Sequence, residues 1–481
     1  MRLQVSVYIF ILSFLAIVIY SCEKQLSSGI SGFSVSAGLR LSVVEESPFI
    51  KTADSAVSTF SVDADGASYA LFRQFINSNR NPVKDAIRSE EFMNYFTYDY
   101  PDPIDNSPIR VNGEVSSCPW TEGNKLIRIG IKGKSIVLSK YPIANFVLLI
   151  DVSGSMQTDN KLELLKKGFL DFVNQMRSQD RIAIVTYAGD AGLVLASTPG
   201  TQKVLIKSKI SNLKPGGSTN GAGGIKLAYQ IAQENFIPGG NNRVILGTDG
   251  DFNVGITSQT DLENLIISKR DQGIFLTVLG VGTDNLNEAM MEQLANKGNG
   301  NYEYLDDMQE IKKIFVDEYS KFLTVAKDVK VQVTFNPSLV EEYRLIGYEN
   351  RALATNDFID DKKDAGEIGA GQTITAMYEI KPVANSHLVP TFTVNFRYKL
   401  PEETRSNSLS LDIYDSGNNF IQSSENMRFS ASCVALGMYL RNSPYKGTIS
   451  LEKIRGWAGG ARSFDPYGYK AKHLELLSRV K

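Results

Sequence analysis

Four short, continuous runs of apolar residues restrict the fold of this 481-residue chain more than any other feature. The runs occupy residues 146–150, 182–185, 244–246 and 274–279. A continuous apolar run suits a strand that is buried on both faces, as in a parallel sheet covered by helices. Segments between the runs, such as 161–176 and 225–236, show the apolar period of amphipathic helices. We therefore predict an α/β fold with a doubly wound, mainly parallel sheet over residues 144–325.

Three loops of this predicted domain carry oxygen-bearing side chains where a ligand site is expected. In an open parallel sheet, ligands bind at the carboxyl ends of the strands, near the point where the strand order reverses. The first loop carries Asp151, Ser153 and Ser155, the second carries Thr219 and the third carries Asp249. Hard cations such as Mg²⁺ are coordinated by about six oxygen atoms. The five residues therefore predict a metal site, whereas the alternative interpretation makes the aspartates helix caps and the serines turn residues.

The order of these side chains resembles the metal-ion-dependent adhesion site of von Willebrand factor A domains, in which DxSxS precedes a threonine and then an aspartate. Asp151, Ser153 and Ser155 match the first element, Thr219 matches the second and Asp249 matches the third. The resemblance implies that the two serines and, in one conformation, the threonine contact the cation directly. The two aspartates then act largely through water.

The same resemblance implies a mode of binding. The cation would be Mg²⁺, or Mn²⁺ or Ca²⁺, and one coordination position would remain for an Asp or Glu carboxylate of a protein partner. In related domains, exchange of the threonine and aspartate contacts is coupled to movement of the last helix, here about residues 307–323. Movement of the same helix in this domain is a hypothesis.

The resemblance extends beyond the A domain. Segments 58–63, 94–96, 249–255, 344–351 and 364–371 resemble those of the YfbK-type bacterial lipoproteins. In that family a characteristic amino-terminal segment and a carboxyl-terminal domain bracket the A domain. The resemblance therefore implies an architecture for most of the chain.

Flanking segments on both sides of the α/β unit contain strand-like patterns. Residues 47–106 have the apolar spacing of two helices, and residues 107–140 alternate apolar with polar side chains as half-buried strands do. Residues 326–481 read as a β-rich domain with a helical end. Either the α/β unit is inserted into one β module formed by both flanks, or the flanks are independent modules.

The amino terminus has the anatomy of a secretory signal. Residues 1–21 contain an apolar run shorter than the roughly 20 residues of a membrane-spanning helix. Residues 19–22 resemble the lipobox of bacterial lipoproteins, which implies acylation of Cys22. Residues 22–46 are rich in Ser and Gly and suit a flexible tether. We expect a lipid-anchored protein of the bacterial cell envelope at the outer membrane, on its periplasmic or surface face; an uncleaved anchor and plain secretion are the alternatives.

Two other groups of polar residues are interpreted as structural. Cys118 and Cys433 would be able to form a disulfide in an oxidising compartment, but two buried free thiols are favoured. Asp360, Asp361 and Asp364 suggest a calcium-like cluster, but a solvated acidic loop is favoured. Neither group is expected to form the main site.

Composition removes several classes of function. A net charge of −2 gives no general attraction to nucleic acid or to an anionic membrane surface. Two histidines make a histidine-rich zinc or iron centre improbable. Residues 216–224 lack the GK[ST] ending of a phosphate-binding loop, and Ser153 stands where an aspartyl phosphatase would need a second carboxylate. We expect no enzyme but an anchored extracytoplasmic binding protein; the alternatives are a periplasmic scaffold or assembly factor and, less favoured, a metal-dependent hydrolase.

Overall fold

The computed structural model describes residues 45–62, 66–250, 258–282, 286–383 and 388–481. The predicted signal peptide, Cys22 and nearly all of the predicted tether lie outside these residues. The strands are β1 (Ile50–Lys51), β2 (Val57–Ser61), β3 (Ile109–Ser117), β4 (Lys125–Gly133), β5 (Ala144–Asp151), β6 (Arg181–Tyr187), β7 (Ala191–Pro199), β8 (Asn241–Thr248), β9 (Ile274–Val281), β10 (Tyr302–Leu305), β11 (Thr324–Phe335), β12 (Val340–Ile346), β13 (Gly366–Gly369), β14 (Thr373–Pro382), β15 (Phe392–Lys399) and β16 (Asn407–Ile413). The α-helices are α1 (Ala67–Asn77), α2 (Ser89–Asn94), α3 (Leu162–Gln175), α4 (Lys203–Ser211), α5 (Gly221–Glu234), α6 (Gln259–Asp271), α7 (Glu288–Lys297), α8 (Met308–Lys312), α9 (Glu425–Arg441), α10 (Leu451–Gly459) and α11 (Tyr469–Arg479).

The α/β unit is built on a six-stranded sheet with the order β10-β9-β8-β5-β6-β7. Neighbouring strands are parallel, except that β7 runs antiparallel to β6 at one edge. Every residue of β5 and of β9 is buried, because helices cover both faces of the sheet and create a separate apolar core on each. The four apolar runs lie in β5, β6, β8 and β9, so the predicted doubly wound α/β fold is confirmed.

Strands from both flanks of the α/β unit share the remaining sheets. One antiparallel sheet has the order β1-β12-β14-β4-β3, and β4 pairs with β14 over eight consecutive residues. In the other sheet, β13 pairs with the first part of β11 and β2 with the following part. Strand β15 also pairs with β11, over residues 327–335, and β16 pairs with β15. Because β4 precedes the α/β unit and β14 follows it, the unit is inserted into the β module.

The amino-terminal segment differs from the expectation of helices alone. Helices α1 and α2 form, but they are preceded by β1 and β2, which pair with β12 and β11. The side chain of Gln332 donates a hydrogen bond to Thr59, 273 positions away, so the partner of this strand is remote in the sequence. Local apolar spacing does not report such a long-range pairing.

Helix α1 packs on two cores at once. Ala70 and Leu71 belong to one apolar core of the α/β unit, whereas Tyr69 and Phe72 belong to the core of the β module and the carboxyl-terminal helices. A buried apolar contact is strengthened by close packing on both sides. The helix therefore joins the inserted unit to the surrounding module.

The carboxyl-terminal helices α9, α10 and α11 pack on the β module, as the helical pattern there predicts. In the described ranges, no helix has the length and apolar character needed to cross a bilayer. Cys118 and Cys433 are buried free thiols, and burial raises the pKa of each to about 12. Both thiols are therefore protonated at neutral pH.

Candidate functional site

The five predicted residues lie around the point where the strand order of the six-stranded sheet reverses. From β5 the chain adds β6 and β7 on one side and β8, β9 and β10 on the other. Asp151 is the last residue of β5. Asp249 directly follows β8, the strand that is hydrogen-bonded to β5. Thr219 lies in the loop that leads into α5. The fold thus brings three loops to the carboxyl edge where ligands bind in sheets of this kind.

The first loop turns sharply after β5. Asp151 Oδ1 accepts a hydrogen bond from the backbone N–H of Ser153 over 2.8 Å, and the chain then enters a short 3₁₀ turn, Gly154–Gln157. The Oγ atoms of Ser153 and Ser155 share a hydrogen bond and are 3.0 Å apart. Two oxygens bound at right angles to one Mg²⁺ at about 2.1 Å would lie about 3.0 Å apart. The spacing of the two hydroxyls therefore fits adjacent positions around one small cation.

Backbone hydrogen bonds hold the second loop against the first. The N–H of Gly216 donates to the carbonyl of Val152 over 2.7 Å, and the N–H of Gly154 donates to the carbonyl of Gly217 over 3.0 Å. Gly217 has a φ of +89°, a left-handed conformation that favours glycine. Thr219 follows in this loop and is half-buried. The glycines allow the close approach of the second loop to the first loop.

Three residues outside the predicted ligand set support the two aspartates. The hydroxyls of Thr248 and Tyr187 each donate to Asp151 Oδ2 over 3.1 Å. Lys161 Nζ donates to Asp249 Oδ2 over 2.9 Å, and both side chains are buried. Thr248 is adjacent to the predicted aspartate and carries an oxygen, which was a usable signal. Tyr187 is the last residue of β6, and Lys161 directly precedes α3. Neither has a local sequence pattern that indicates a role in the site.

The Asp151 carboxyl is influenced by burial and by the charge of Asp249. Burial raises the pKa of the Asp151 carboxyl, hydrogen bonds from Ser153 oppose that shift, and the nearby Asp249 carboxylate adds to it. A positive charge placed between the two carboxylates would favour their ionised forms. In the described part of the chain, no three His, Cys, Asp or Glu side chains gather into a metal cluster. A metal at this edge would therefore depend on hydroxyl oxygens as well as on the two carboxylates.

The acidic loop that precedes β13 is neutralised by arginines. Asp361 accepts a hydrogen bond from Arg397 over 2.8 Å, and Asp364 accepts one from Arg270 over 2.9 Å. The carboxylates therefore face different cationic partners instead of one shared centre. We assign this loop a structural role in joining α6 of the inserted unit to the β module.

The last helix of the inserted unit is shorter and less regular than a single α-helix over 307–323. After α8 the chain continues as a π-helical turn, Lys313–Asp317, and a 3₁₀ turn, Tyr319–Phe322. Arg73, from α1, donates to Glu310 Oε2 over 2.8 Å and to Asp306 Oδ2 over 2.9 Å. The hydroxyl of Tyr95 also donates to Glu310 over 2.8 Å. The amino-terminal segment therefore binds the buried face of the last helix.

Sequence profiles of three known regions match the chain. The profile described as uncharacterized protein YfbK, C-terminal, matches residues 320–391 and 388–481. The von Willebrand factor type A domain matches residues 145–317, and a profile described as von Willebrand factor matches residues 39–128. The matches cover the inserted unit and both of its flanks.

Individual proteins are similar over different lengths. Uncharacterized protein YfbK of Escherichia coli (strain K12) is 39% identical over 459 residues, which cover 90% of this chain and 79% of that protein. Inter-alpha-trypsin inhibitor heavy chain H3 of Homo sapiens is 28% identical over 166 residues, 32% of this chain and 18% of that protein. The solved structure of a von Willebrand factor type A protein from Catenulispora acidiphila has a TM-score of 0.43 and 14% identity, and covers 79% of this chain and 91% of its own.

Proposed function

Because the chain belongs to the YfbK family and contains a von Willebrand factor type A domain, we propose that it is a membrane-anchored protein of the bacterial cell envelope that captures an acidic group of a protein partner through a divalent cation. A von Willebrand factor A domain indicates a role in protein–protein interaction or adhesion, and proteins with this domain are generally non-enzymatic.

One observation carries the metal-dependent part of this proposal. The Ser153 and Ser155 hydroxyls lie 3.0 Å apart beside the buried Asp151 carboxylate, at the carboxyl edge where three loops meet. Hydroxyls at this spacing suit neighbouring positions in the octahedral shell of Mg²⁺ or Mn²⁺, and Ca²⁺ accepts a looser oxygen shell. Thr219 and Asp249, from the second and third loops, complete the proposed ligand set.

The protein side chains would have different roles in binding. Tyr187 and Thr248 hold Asp151 through hydrogen bonds, so that its carboxylate keeps one orientation. Neutral hydroxyl ligands neutralise a cation less than carboxylates do, which leaves the bound cation attractive to an outside carboxylate. When bound, the cation would supply a Lewis-acidic position for a partner's Asp or Glu. Surfaces around the site must also fit, because a carboxylate is costly to desolvate without good partners.

The anchoring part of the proposal is supported by the sequence pattern at Cys22. Two or more acyl chains on one cysteine hold a protein on a membrane stably, whereas a single chain is marginal. Labelling with a clickable palmitate analogue should mark the wild-type protein and not a Cys22→Ser variant. Protease treatment of intact cells then separates the two faces: digestion indicates surface exposure and an adhesive role, and protection indicates a periplasmic role.

The metal site is tested by titrating the purified full-length protein with Mn²⁺ in a calorimeter. Wild type should bind one Mn²⁺, and Asp151→Ala should lose this binding. Asp159→Ala is the matched control, because Asp159 is exposed and lies nearby in the same segment. Capture of a partner from envelope extracts should require both Asp151 and free divalent metal, and should stop in EDTA. Absence of Mn²⁺ binding at millimolar concentration in wild type would contradict the proposal.

A further inference from the structure

A buried lysine approaches the candidate site from the segment before α3. The side chain of Lys161 is 3% exposed, and its Nζ atom donates a hydrogen bond over 2.9 Å to Asp249, whose side chain is fully buried. An ammonium group costs several kcal/mol to bury unless it is paired. The lysine is therefore a fixed positive charge placed directly against one of the two site carboxylates.

The glycine that follows β9 leaves space for the side chain of this lysine. Gly282 follows β9 and has a φ of +72°, which favours glycine. A Cβ atom at this position would lie 2.4 Å from Lys161 Cε and 3.0 Å from its Cγ. A larger residue at 282 would therefore displace the lysine stem from its route to Asp249. The backbone conformation and the nearby lysine stem therefore both favour glycine at position 282.

The charge balance of the described side chains has a consequence for metal binding. Without the lysine, the Asp151 and Asp249 carboxylates together would neutralise a divalent cation. With Lys161 in place one of these two negative charges is already compensated, so a divalent cation together with Lys161, Asp151 and Asp249 would carry one net positive charge. Unlike charges a few ångströms apart in a buried site interact strongly. An acidic ligand from outside would then restore neutrality.

We propose that Lys161 is a positioning residue that weakens binding of the metal alone and strengthens joint binding of the metal and a carboxylate. This inference rests on the proposed function, because it concerns the same metal site. It assigns a reason for burying a lysine against an aspartate that the site requires. The lysine keeps Asp249 oriented and makes occupation of the site depend on the acidic partner.

The test is calorimetric titration of the full-length protein with Mn²⁺ in chloride and in acetate buffers of equal ionic strength. Lys161→Met keeps the apolar stem and removes the charge, and should bind Mn²⁺ at least about tenfold more tightly than wild type in chloride. Acetate should tighten Mn²⁺ binding in wild type and have a smaller effect in the variant, since linked ligands affect each other reciprocally. Lys161→Gln, which keeps a hydrogen-bond donor, should behave in the same way.

Lys313→Met is the matched control. The Nζ atom of Lys313 donates to Glu318 over 2.7 Å, and its side chain is also 3% exposed, but this pair lies in the turn after α8. This variant should lose stability without a change in Mn²⁺ affinity. Unchanged or weaker Mn²⁺ binding in both Lys161 variants would overturn the inference while leaving the metal site intact. Failure of wild type to bind Mn²⁺ would instead overturn the proposed function.

Discussion

Arg73 in α1 and Glu310 in α8 form an ion pair over 2.8 Å in which both side chains are at most 3% exposed. The two residues are 237 positions apart, and they belong to different units of the fold. Asp306 and Tyr95 bind the same guanidinium. The last helix of the inserted unit is therefore attached to the amino-terminal segment by a buried polar network, and not by apolar packing alone.

Removal of this arginine should destabilise the protein strongly. Arg73→Gln leaves the carboxylates of Asp306 and Glu310 buried without their main cation, and breaking one partner of a buried pair costs about 3–5 kcal/mol. Urea unfolding should report this loss. Hydrogen exchange should also become faster over residues 308–317. Arg110→Gln is the control, since its guanidinium donates to a backbone carbonyl at the surface; an equal loss in both variants would contradict the attachment.

Two helical glycines should respond to alanine with opposite signs. A Cβ atom on Gly224, in α5, would lie 2.8 Å from Tyr187 Cβ, so Gly224→Ala overpacks the core at a cost of about 1–3 kcal/mol. A Cβ atom on Gly456, in α10, would meet nothing within 4 Å, so Gly456→Ala should stabilise the protein by up to about 1 kcal/mol. Thermal unfolding measures both changes. Because Tyr187 holds Asp151, Gly224→Ala should also weaken Mn²⁺ binding, whereas Gly456→Ala should not.

Acid should destabilise the protein through His473. This side chain is fully buried, its Nδ1 lies 2.8 Å from the Tyr69 hydroxyl, and burial lowers its pKa to about 3. Below the unfolded value of about 6.5 the unfolded chain binds a proton that the folded chain does not bind. The stability that comes from keeping His473 neutral is therefore fully present above about pH 6.5. It is lost progressively as the pH falls below that value. At pH 5 the loss is about 2 kcal/mol.

The pH effect is isolated by comparing wild type with His473→Gln. The quantity measured is the difference in the free energy of unfolding between pH 7 and pH 5, from urea titrations. Buried carboxyls such as Glu303, whose pKa is raised by burial to about 7, act in the opposite direction, but they do so equally in both proteins. The variant should lose less stability on acidification than wild type. Identical pH dependence would show that His473 has the same pKa in the folded and unfolded chain, and would contradict the prediction.

Thr219→Ala should separate metal binding from ligand capture. The threonine lies in the second loop, whose backbone is held to the first loop through Gly216 and Gly217, so its side chain can be shortened without moving the serines. Mn²⁺ affinity should change by only a few fold, whereas retention of an acidic partner on the immobilised protein should fall markedly. A serine at 219, which keeps the hydroxyl, should preserve capture. Loss of all Mn²⁺ binding in the alanine variant would contradict this division of roles.

The parts of the fold that sequence reasoning predicted are those encoded locally. A strand buried on both faces needs a continuous apolar run, and β5, β6, β8 and β9 each have one. The first loop places three oxygens within five residues, and the fold of a parallel sheet brings the other loops to the same edge. Local pattern and sheet geometry predict that the three loops meet at one edge of the sheet, whereas the choice of five metal ligands rests on the resemblance to the adhesion-site motif and stays a prediction.

Features that depend on remote partners were missed. Lys161 begins a segment with helical spacing and reads as a polar helix start, yet its side chain turns inward to Asp249, 88 positions later. Arg73 reads as the polar face of an amphipathic helix, yet it is 2% exposed because its acidic partners come from the inserted unit. Strand β2 was included in a helical segment because its hydrogen-bond partner, β11, follows the whole inserted unit. The pattern of charged and apolar residues within one segment does not show which distant segment will pair with its charges or cover its apolar side chains.

Insertion of the A domain also sets an order of events during synthesis. The Asn124 side chain next to β4 bonds Glu379 of β14, 255 positions later, so the ribosome completes the entire inserted unit before β4 meets its central partner. Until then β4 presents an unpaired edge, which invites pairing with other chains. The inserted unit, whose two cores are built mainly from its own residues, is able to fold first and to bring the flanking strands together as its ends close.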